Sequence, residues 1–203
     1  GCRKEPIAMT ITEQKAAQRK AGIAARRALS DTQRTRSNAA LCARIMALDC
    51  FKKAENILLY AAFGGEADLS ALAVEAARQG KTPAYPVCGE DFSLTAAVPG
   101  PDGWEVGAYG IRTPILSRSE ILRPDQLDLV LVPCTAFDAA CRRVGMGKGY
   151  YDRYLPRCIR AVKLGAAFEA PRVDAAAVNA HDETLDGFVT EGGLYFGFDT
   201  TEL

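Results

Sequence analysis

Asp128-Leu129-Val130-Leu131-Val132, followed after a short turn by Phe137-Asp138-Ala139-Ala140-Cys141-Arg142-Arg143-Val144-Gly145-Met146-Gly147-Lys148-Gly149-Tyr150-Tyr151-Asp152-Arg153, is the stretch that decides the fold. A continuous apolar run of this length reads as a strand buried on both faces, the kind found inside parallel sheets. The glycine-rich loop after it leads into a helix expected from about Gly149 to Cys158. Upstream, Thr10 with Glu13 and Ser30 with Gln33 are capping-box pairs. They open helices expected to reach about Leu29 and Leu48. Asn56–Tyr60 reads as a strand running into the loop Phe63-Gly64-Gly65-Glu66, and Leu69–Gln79 as an amphipathic helix stopped by Gly80. Thr82–Val87 reads as a strand broken by Pro86, and Phe92–Val98 as a further strand or half of a hairpin. Pro99 to Pro114 reads as loop. Ala161–Ala167 and Gly187–Thr190 are further strand candidates.

Strands alternating with helices imply an α/β fold: a single-domain three-layer sandwich whose mostly parallel central sheet is flanked by helices. Residues 10–203 are expected to form that one domain, with residues 1–9 an upstream extension. In such sheets, ligands bind beyond the carboxyl ends of the strands. The loops after Tyr60 and Val132 are therefore where function is expected.

Composition narrows the chemistry. The 203 residues carry 25 Lys plus Arg against 25 Asp plus Glu, a balance that speaks against a nucleic-acid binder. The single histidine, His181, excludes multi-histidine metal sites. The seven cysteines have scattered spacings and form no C-x-x-C pair, as expected of reduced thiols in a cytosolic protein. The longest apolar run, Ile57–Phe63, is far short of a membrane span. No obligate protein partner is evident.

Gly145, Gly147 and Gly149 stand at alternate positions, so backbone N–H groups there can approach an anion closely. Arg143 and Lys148 add full charges. The spacing fits neither a Walker A motif, which needs Gly at 142 and Ser or Thr at 149, nor a Rossmann fingerprint, which needs Gly at 150. Spacing alone leaves a phosphate cradle and a tight glycine turn with a solvated basic rim about even. Lys15 and Arg19 share one helix face with Arg26 close by, a pattern that by itself describes a solvated face.

The long signature resembles that of the 5-formyltetrahydrofolate cyclo-ligase family. Asp138, Arg143, Gly145, Gly147, Lys148, Gly149, Tyr150, Tyr151 and Asp152 fit its pattern. Lys15 and Arg19, Glu66, Tyr85-Pro86-Val87, Tyr109-Gly110-Ile111-Arg112 and His181-Asp182 resemble its other blocks, from about Thr12 to Glu191. Cys141 stands where the family usually has Gly, Val144 where it has Leu, and Thr113 where it often has an acid.

The resemblance implies a cytoplasmic, ATP- and Mg²⁺-dependent ligase of one-carbon metabolism. It would phosphorylate the formyl oxygen of 5-formyltetrahydrofolate, with or without a polyglutamate tail. N10 would then close the ring, giving 5,10-methenyltetrahydrofolate, ADP and phosphate. It implies catalytic roles for Lys148 and Arg143. It implies ATP contacts from Lys15, Arg19, Arg143, Gly145, Gly147, Lys148, Gly149, Tyr150 and Tyr151. Folate contacts would come from Glu66, Tyr109, Met146 and Tyr150, and metal ligation from Asp152 and Asp182. Each has a plainer reading: Asp152 as a helix N-terminal carboxylate, Asp182 as a loop turn, Glu66 as a cap for the Leu69 helix, the tyrosines as core or rim. Two other functions fit the residues. One is a sugar-phosphate isomerase or deaminase with Glu66 or Asp138 as base, and the other a nucleotide- or folate-binding module without turnover.

Overall fold

A computed structural model describes residues 7–197. Of the expected N-terminal extension, residues 1–6 lie outside the described residues, and Ile7 to Met9 belong to no regular element. Both capping boxes form as the sequence implies. They open α1 (Ile11–Arg27) and α2 (Asp31–Ala47). Then come α3 (Asp49–Lys53), β1 (Asn56–Leu58), α4 (Ser70–Arg78), β2 (Thr82–Cys88), β3 (Leu94–Pro99), β4 (Trp104–Val106), β5 (Arg112–Pro114) and β6 (Ser119–Leu122). The chain continues through β7 (Leu129–Val132), β8 (Ala136–Phe137), β9 (Arg143–Val144), α5 (Tyr150–Tyr154), β10 (Val162–Ala166), β11 (Gly187–Val189) and β12 (Leu194–Phe196).

The main sheet has the order β12-β11-β10-β7-β1-β2-β3-β6. Its five central strands, β11 to β2, run parallel, and antiparallel strands finish both edges. All four residues of β7 are buried, as a strand between two parallel neighbours must be. Alternation splits the core. Ile57, Leu129, Leu131 and Leu164 face α2, α3 and α4, with Phe51, Leu41 and Leu72. Leu58, Val130, Val132 and Phe188 face the other way, onto Phe137, Tyr154 and Leu155. Phe137 stacks flat on Phe188 at 4.2 Å, in the space left by Gly165, where a Cβ would overlap the Phe188 ring. The second flank is thin: α5 ends at Tyr154, shorter than expected, and passes into a 3₁₀ turn at Leu155–Arg157.

Three expectations are corrected. Pro86 does not break β2. It lies on the side that faces β1, two residues past Ala84, where β1 has already ended, so no ladder bond needs its missing N–H. The segment between Pro99 and Pro114 is not merely loop. It holds the β4–β5 hairpin, fastened to β2 by Trp104, which meets Tyr85 edge-on at 4.7 Å under the Arg112 guanidinium. The edge strands β6 and β12 were not expected at all.

The strand order reverses between β1 and β7: from β1 the chain steps outward to β2, and from β7 it steps the other way to β10. The crevice at such a reversal is where α/β sheets bind ligands. Here α1 closes it. Gly22 of α1 presses on the backbone of Thr135, and a Cβ there would overlap the Thr135 carbonyl oxygen. Gly22→Ala should therefore destabilise the protein by about 1–3 kcal/mol through overpacking, although alanine is the better helix former. A denaturant melt checks this; unchanged or raised stability would show that α1 is not seated there.

Candidate active site

The α1 residues Lys15, Gln18, Arg19, Gly22 and Arg26 recur at three- and four-residue spacing, so they share a face. That stripe normally carries apolar side chains onto a core. Here each polar side chain in it reaches a loop. Lys15 Nζ lies 2.5 Å from Asp182 Oδ2, with both side chains largely covered. Gln18 donates to the Ala175 carbonyl and accepts from the Ala177 N–H. Arg19 Nε donates to the Gly145 carbonyl at 2.8 Å, and its guanidinium lies against Gly147. Arg26, only 3% exposed, donates from Nε to Gly64 O and from Nη1 to Cys134 O. The face is thus docked rather than solvated.

Asp138 organises the turn that precedes β9. It is 1% exposed and accepts from the N–H groups of Ala140, Arg142 and Ala176 and from Arg142 Nε. So engaged, it is a structural carboxylate and not the general base of an isomerase. Cys141, where a glycine was expected, still adopts the left-handed conformation that glycine favours (φ 63°), and its carbonyl accepts from Leu185 N. Burial pushes the thiols of Cys134 and Cys141 up to about 12, so neither offers a thiolate at neutral pH.

Beyond β9 the glycine loop opens. Gly147 and Gly149 both have positive φ. Lys148 between them is exposed, and its carbonyl accepts from Arg153 Nη1 at 2.8 Å. Arg143 is buried beneath, with its guanidinium 5.6 Å from the Tyr151 ring centroid. Its Nη2 is 3.4 Å from Asp152 Oδ1, and its Nε, though buried, has no partner among the described residues. Asp152 Oδ1 also accepts from Glu183 N, one residue after Asp182, so the same loop steadies both candidate carboxylates. Among the described residues, Asp152 Oδ2 and Asp182 Oδ1 remain uncommitted. Among the described residues no group of three or more His, Cys, Asp or Glu could hold a metal ion. A magnesium ion that takes one or two carboxylates and completes its shell with phosphate oxygens fits these residues; a protein-only cage does not.

The folate candidates fall at two places. Glu66 does not cap α4: Leu69 stands at its N-cap, and Asp68 Oδ1 takes the Ser70 N–H. Glu66 Oε2 instead accepts from Phe63 N, closing the loop after β1 on itself. Burial pushes the Glu66 carboxyl up to about 7, against the pull of that N–H and of Arg26. Tyr109, 86% exposed and at φ 61°, stands 6.2 Å from Phe63 across the mouth of this loop. Met146 is exposed on the glycine loop, and Tyr150 leans on Phe92 of the β2–β3 turn at 6.1 Å. Tyr151 is half-buried between the two places, and burial raises its hydroxyl further, with Glu66 adding to the effect.

Sequence reasoning missed Gln18, Gly22, Arg34 and Arg153, and gave Arg26 no role. Arg34 donates to Gly65 O and to the Arg26 carbonyl. The signal that could have found the α1 residues is the polar stripe itself, which stands where a helix of this length needs something to bury.

The profile of the 5-formyltetrahydrofolate cyclo-ligase family matches residues 11–191. A relative from Escherichia coli (strain K12), 5-formyltetrahydrofolate cyclo-ligase, is 28% identical over 84% of this chain and 96% of its own. A mouse protein of the same name is 25% identical over 81% and 87%. Among solved structures, the NMR structure of Aquifex aeolicus 5,10-methenyltetrahydrofolate synthetase superposes with a TM-score of 0.80 at 32% identity, covering 93% of this chain and 95% of that one. A 5,10-methenyltetrahydrofolate synthetase from Mycoplasma pneumoniae shares the fold at a TM-score of 0.73 and 23% identity.

The raised Glu66 carboxyl has a consequence for stability. Between about pH 4.5 and 7 the native state holds more protons than the unfolded chain, so stability falls as pH rises through that window. Glu66→Gln keeps the size and the acceptor for Phe63 N but carries no charge. Its melting temperature should exceed that of the parent protein at pH 8, by clearly more than at pH 5. A difference that is the same at both pH values would contradict the raised carboxyl.

Proposed function

The chain belongs to the 5-formyltetrahydrofolate cyclo-ligase family, and from that premise we propose that it is the ATP-dependent enzyme that converts 5-formyltetrahydrofolate to 5,10-methenyltetrahydrofolate in the cytoplasm. When bound, Mg²⁺-ATP supplies the phosphoryl group that makes the formyl oxygen a leaving group, so that N10 closes the ring and ADP and phosphate are released. The observation that carries the reading is the convergence of Lys15 and Arg19, from one face of α1, on Asp182 and on the Gly145–Gly149 loop.

Phosphoryl transfer asks a protein for positioning and charge neutralisation more than for a nucleophile. In this reading Lys148, exposed between two positive-φ glycines, reaches the transferring group. Arg143, held by Asp152, adds its positive charge beneath the phosphates. Gly145, Gly147 and Gly149 let the backbone approach, with Tyr150 and Tyr151 at the start of α5 behind them. Arg19 braces the loop through Gly145 O. Lys15, paired with Asp182, can exchange that partner for a phosphate. Asp152 and Asp182 are the residues that would hold magnesium, together with the phosphate oxygens. Glu66 accepts hydrogen bonds from the donors of the pterin ring. Tyr109 and Met146 line the rim of the folate site.

The direct test mixes the protein with 5-formyltetrahydrofolate and Mg²⁺-ATP and follows the methenyl chromophore in the near ultraviolet. Product should form only with nucleotide and divalent metal both present. Undiminished turnover in excess chelator would overturn the metal requirement, and no turnover at all would overturn the reading.

Two variants address the roles. Lys148→Ala should lower the rate by about 10²–10³ while the melting temperature holds, as expected when one charge-stabilising donor is lost; near-normal turnover in the folded variant would contradict its role. Asp152→Asn should need much more magnesium for half-maximal rate and be partly rescued by it. If Asp152 merely complements the helix terminus, stability should instead drop by about 0.3–1 kcal/mol with the magnesium dependence unchanged.

A further inference from the structure

Arg26 is the one cation in the α1 stripe that the proposed mechanism leaves without work, and it is the most buried of them. Its fork ends on two carbonyls, Gly64 O at 2.9 Å and Cys134 O at 3.0 Å. One belongs to the loop after β1 and the other to the loop after β7, the two loops at the reversal of strand order. Arg34 backs it, donating to the Arg26 carbonyl and to Gly65 O. Two guanidinium groups therefore bracket the turn Phe63–Glu66, and Gly64 and Gly65, both at positive φ, lie flat against them. A buried guanidinium satisfied by carbonyls still carries its charge, and the carboxyl two residues beyond Gly64 is where that charge is felt.

We propose that Arg26 is a positioning residue of the cyclo-ligase reaction: it ties the Glu66 loop to the loop that leads into the glycine cradle, and its charge favours the carboxylate form of Glu66, the form that accepts the substrate's ring donors. The proposal rests on the reading of Glu66 as a folate contact. The groups that act on Glu66 are Arg26 from α1, the Tyr60 hydroxyl at the end of β1, the Cys134 thiol after β7 and the Tyr151 hydroxyl of α5. Arg27 and Arg34 also bring guanidinium groups close to Gly64 and Gly65, but Arg26 is the cation whose charge acts on the Glu66 carboxyl. Burial favours the protonated acid, which would present a donor where an acceptor is wanted. Arg26 opposes it.

The test compares the parent protein with Arg26→Gln, Arg26→Lys and Arg34→Gln. Titration of the Glu66 carboxyl by ¹³C NMR, assigned with Glu66→Gln, needs no substrate. It should show the midpoint rising by roughly one pH unit in Arg26→Gln, and by much less in Arg26→Lys and Arg34→Gln, which keep a cation at position 26. In turnover, kcat/KM for 5-formyltetrahydrofolate near neutral pH should fall about 10–100-fold in Arg26→Gln, the range for removing charged hydrogen bonds from a buried site. Its pH profile should move alkaline, and the KM for ATP should stay near the parent value. An unmoved Glu66 midpoint, or parallel losses for both substrates, would reduce Arg26 to a structural strut and overturn the proposal. If Arg26→Gln does not fold, Arg26→Lys decides, because it keeps the charge but loses the fork to two carbonyls: selective loss of folate kcat/KM supports the proposal, and unchanged folate kcat/KM or equal loss for both substrates overturns it. Failure of the parent protein to form methenyl product would sink the cyclo-ligase reading instead, and the NMR titration would still decide whether Arg26 governs Glu66.

Discussion

The site depends on a helix that docks by polar contacts. Where a surface helix ordinarily buries an apolar stripe, α1 turns Lys15, Gln18, Arg19 and Arg26 inward around Gly22. Two constraints make this possible. Gly22 has no Cβ, so the helix axis comes close enough for Arg26 to reach carbonyls on both sides of the strand reversal. Those carbonyls lie in loops that leave the sheet and are free of ladder bonds, so they need donors from elsewhere. One helix thereby supplies the donors that two loops lack, and the loops supply the acceptors that a buried cationic face requires.

The arrangement sets two halves of the site against different electrostatic backgrounds. Toward the glycine loop the chain gathers the exposed Lys148, the partly covered Lys15 and Arg19 and the buried Arg143, with single oxygens of Asp182 and Asp152 steadying Lys15 and Arg143. Toward β1 it half-buries one carboxyl in a turn bracketed by Arg26 and Arg34, and burial wins far enough to bring Glu66 to about 7. Such a group weakens the fold at neutral pH, a cost that proteins carry at sites kept for binding. Strain at Cys141 belongs to the same pattern: a residue with a Cβ occupies a left-handed turn because Asp138 N-terminal to it and Leu185 across from it fix the backbone.

Much of this was legible in the sequence where a local signal existed. The capping boxes placed both long helices, and the run Asp128–Val132 placed the most buried strand. The glycine–lysine–glycine loop lies where the strand order put it, beside Lys15 and Arg19, the pair that residue spacing alone would have left in solvent. What was not legible depended on tertiary context. The polar stripe of α1 looks the same whether solvated or docked, until the loops it meets are known. Pro86 reads as a break until the short reach of β1 shows that its N–H is not needed. The β4–β5 hairpin hides behind the Pro and Gly punctuation of its ends, and is fixed by Trp104 on Tyr85, a contact no local pattern announces.

The most direct test of the account is an experimental structure with 5-formyltetrahydrofolate and a non-hydrolysable ATP analogue bound together. The account places the triphosphate between α1 and the Gly145–Gly149 loop, with Lys15 and Lys148 on its oxygens and the pterin donors on Glu66. A nucleotide bound away from α1, or a pterin that leaves Glu66 uncontacted, would contradict it.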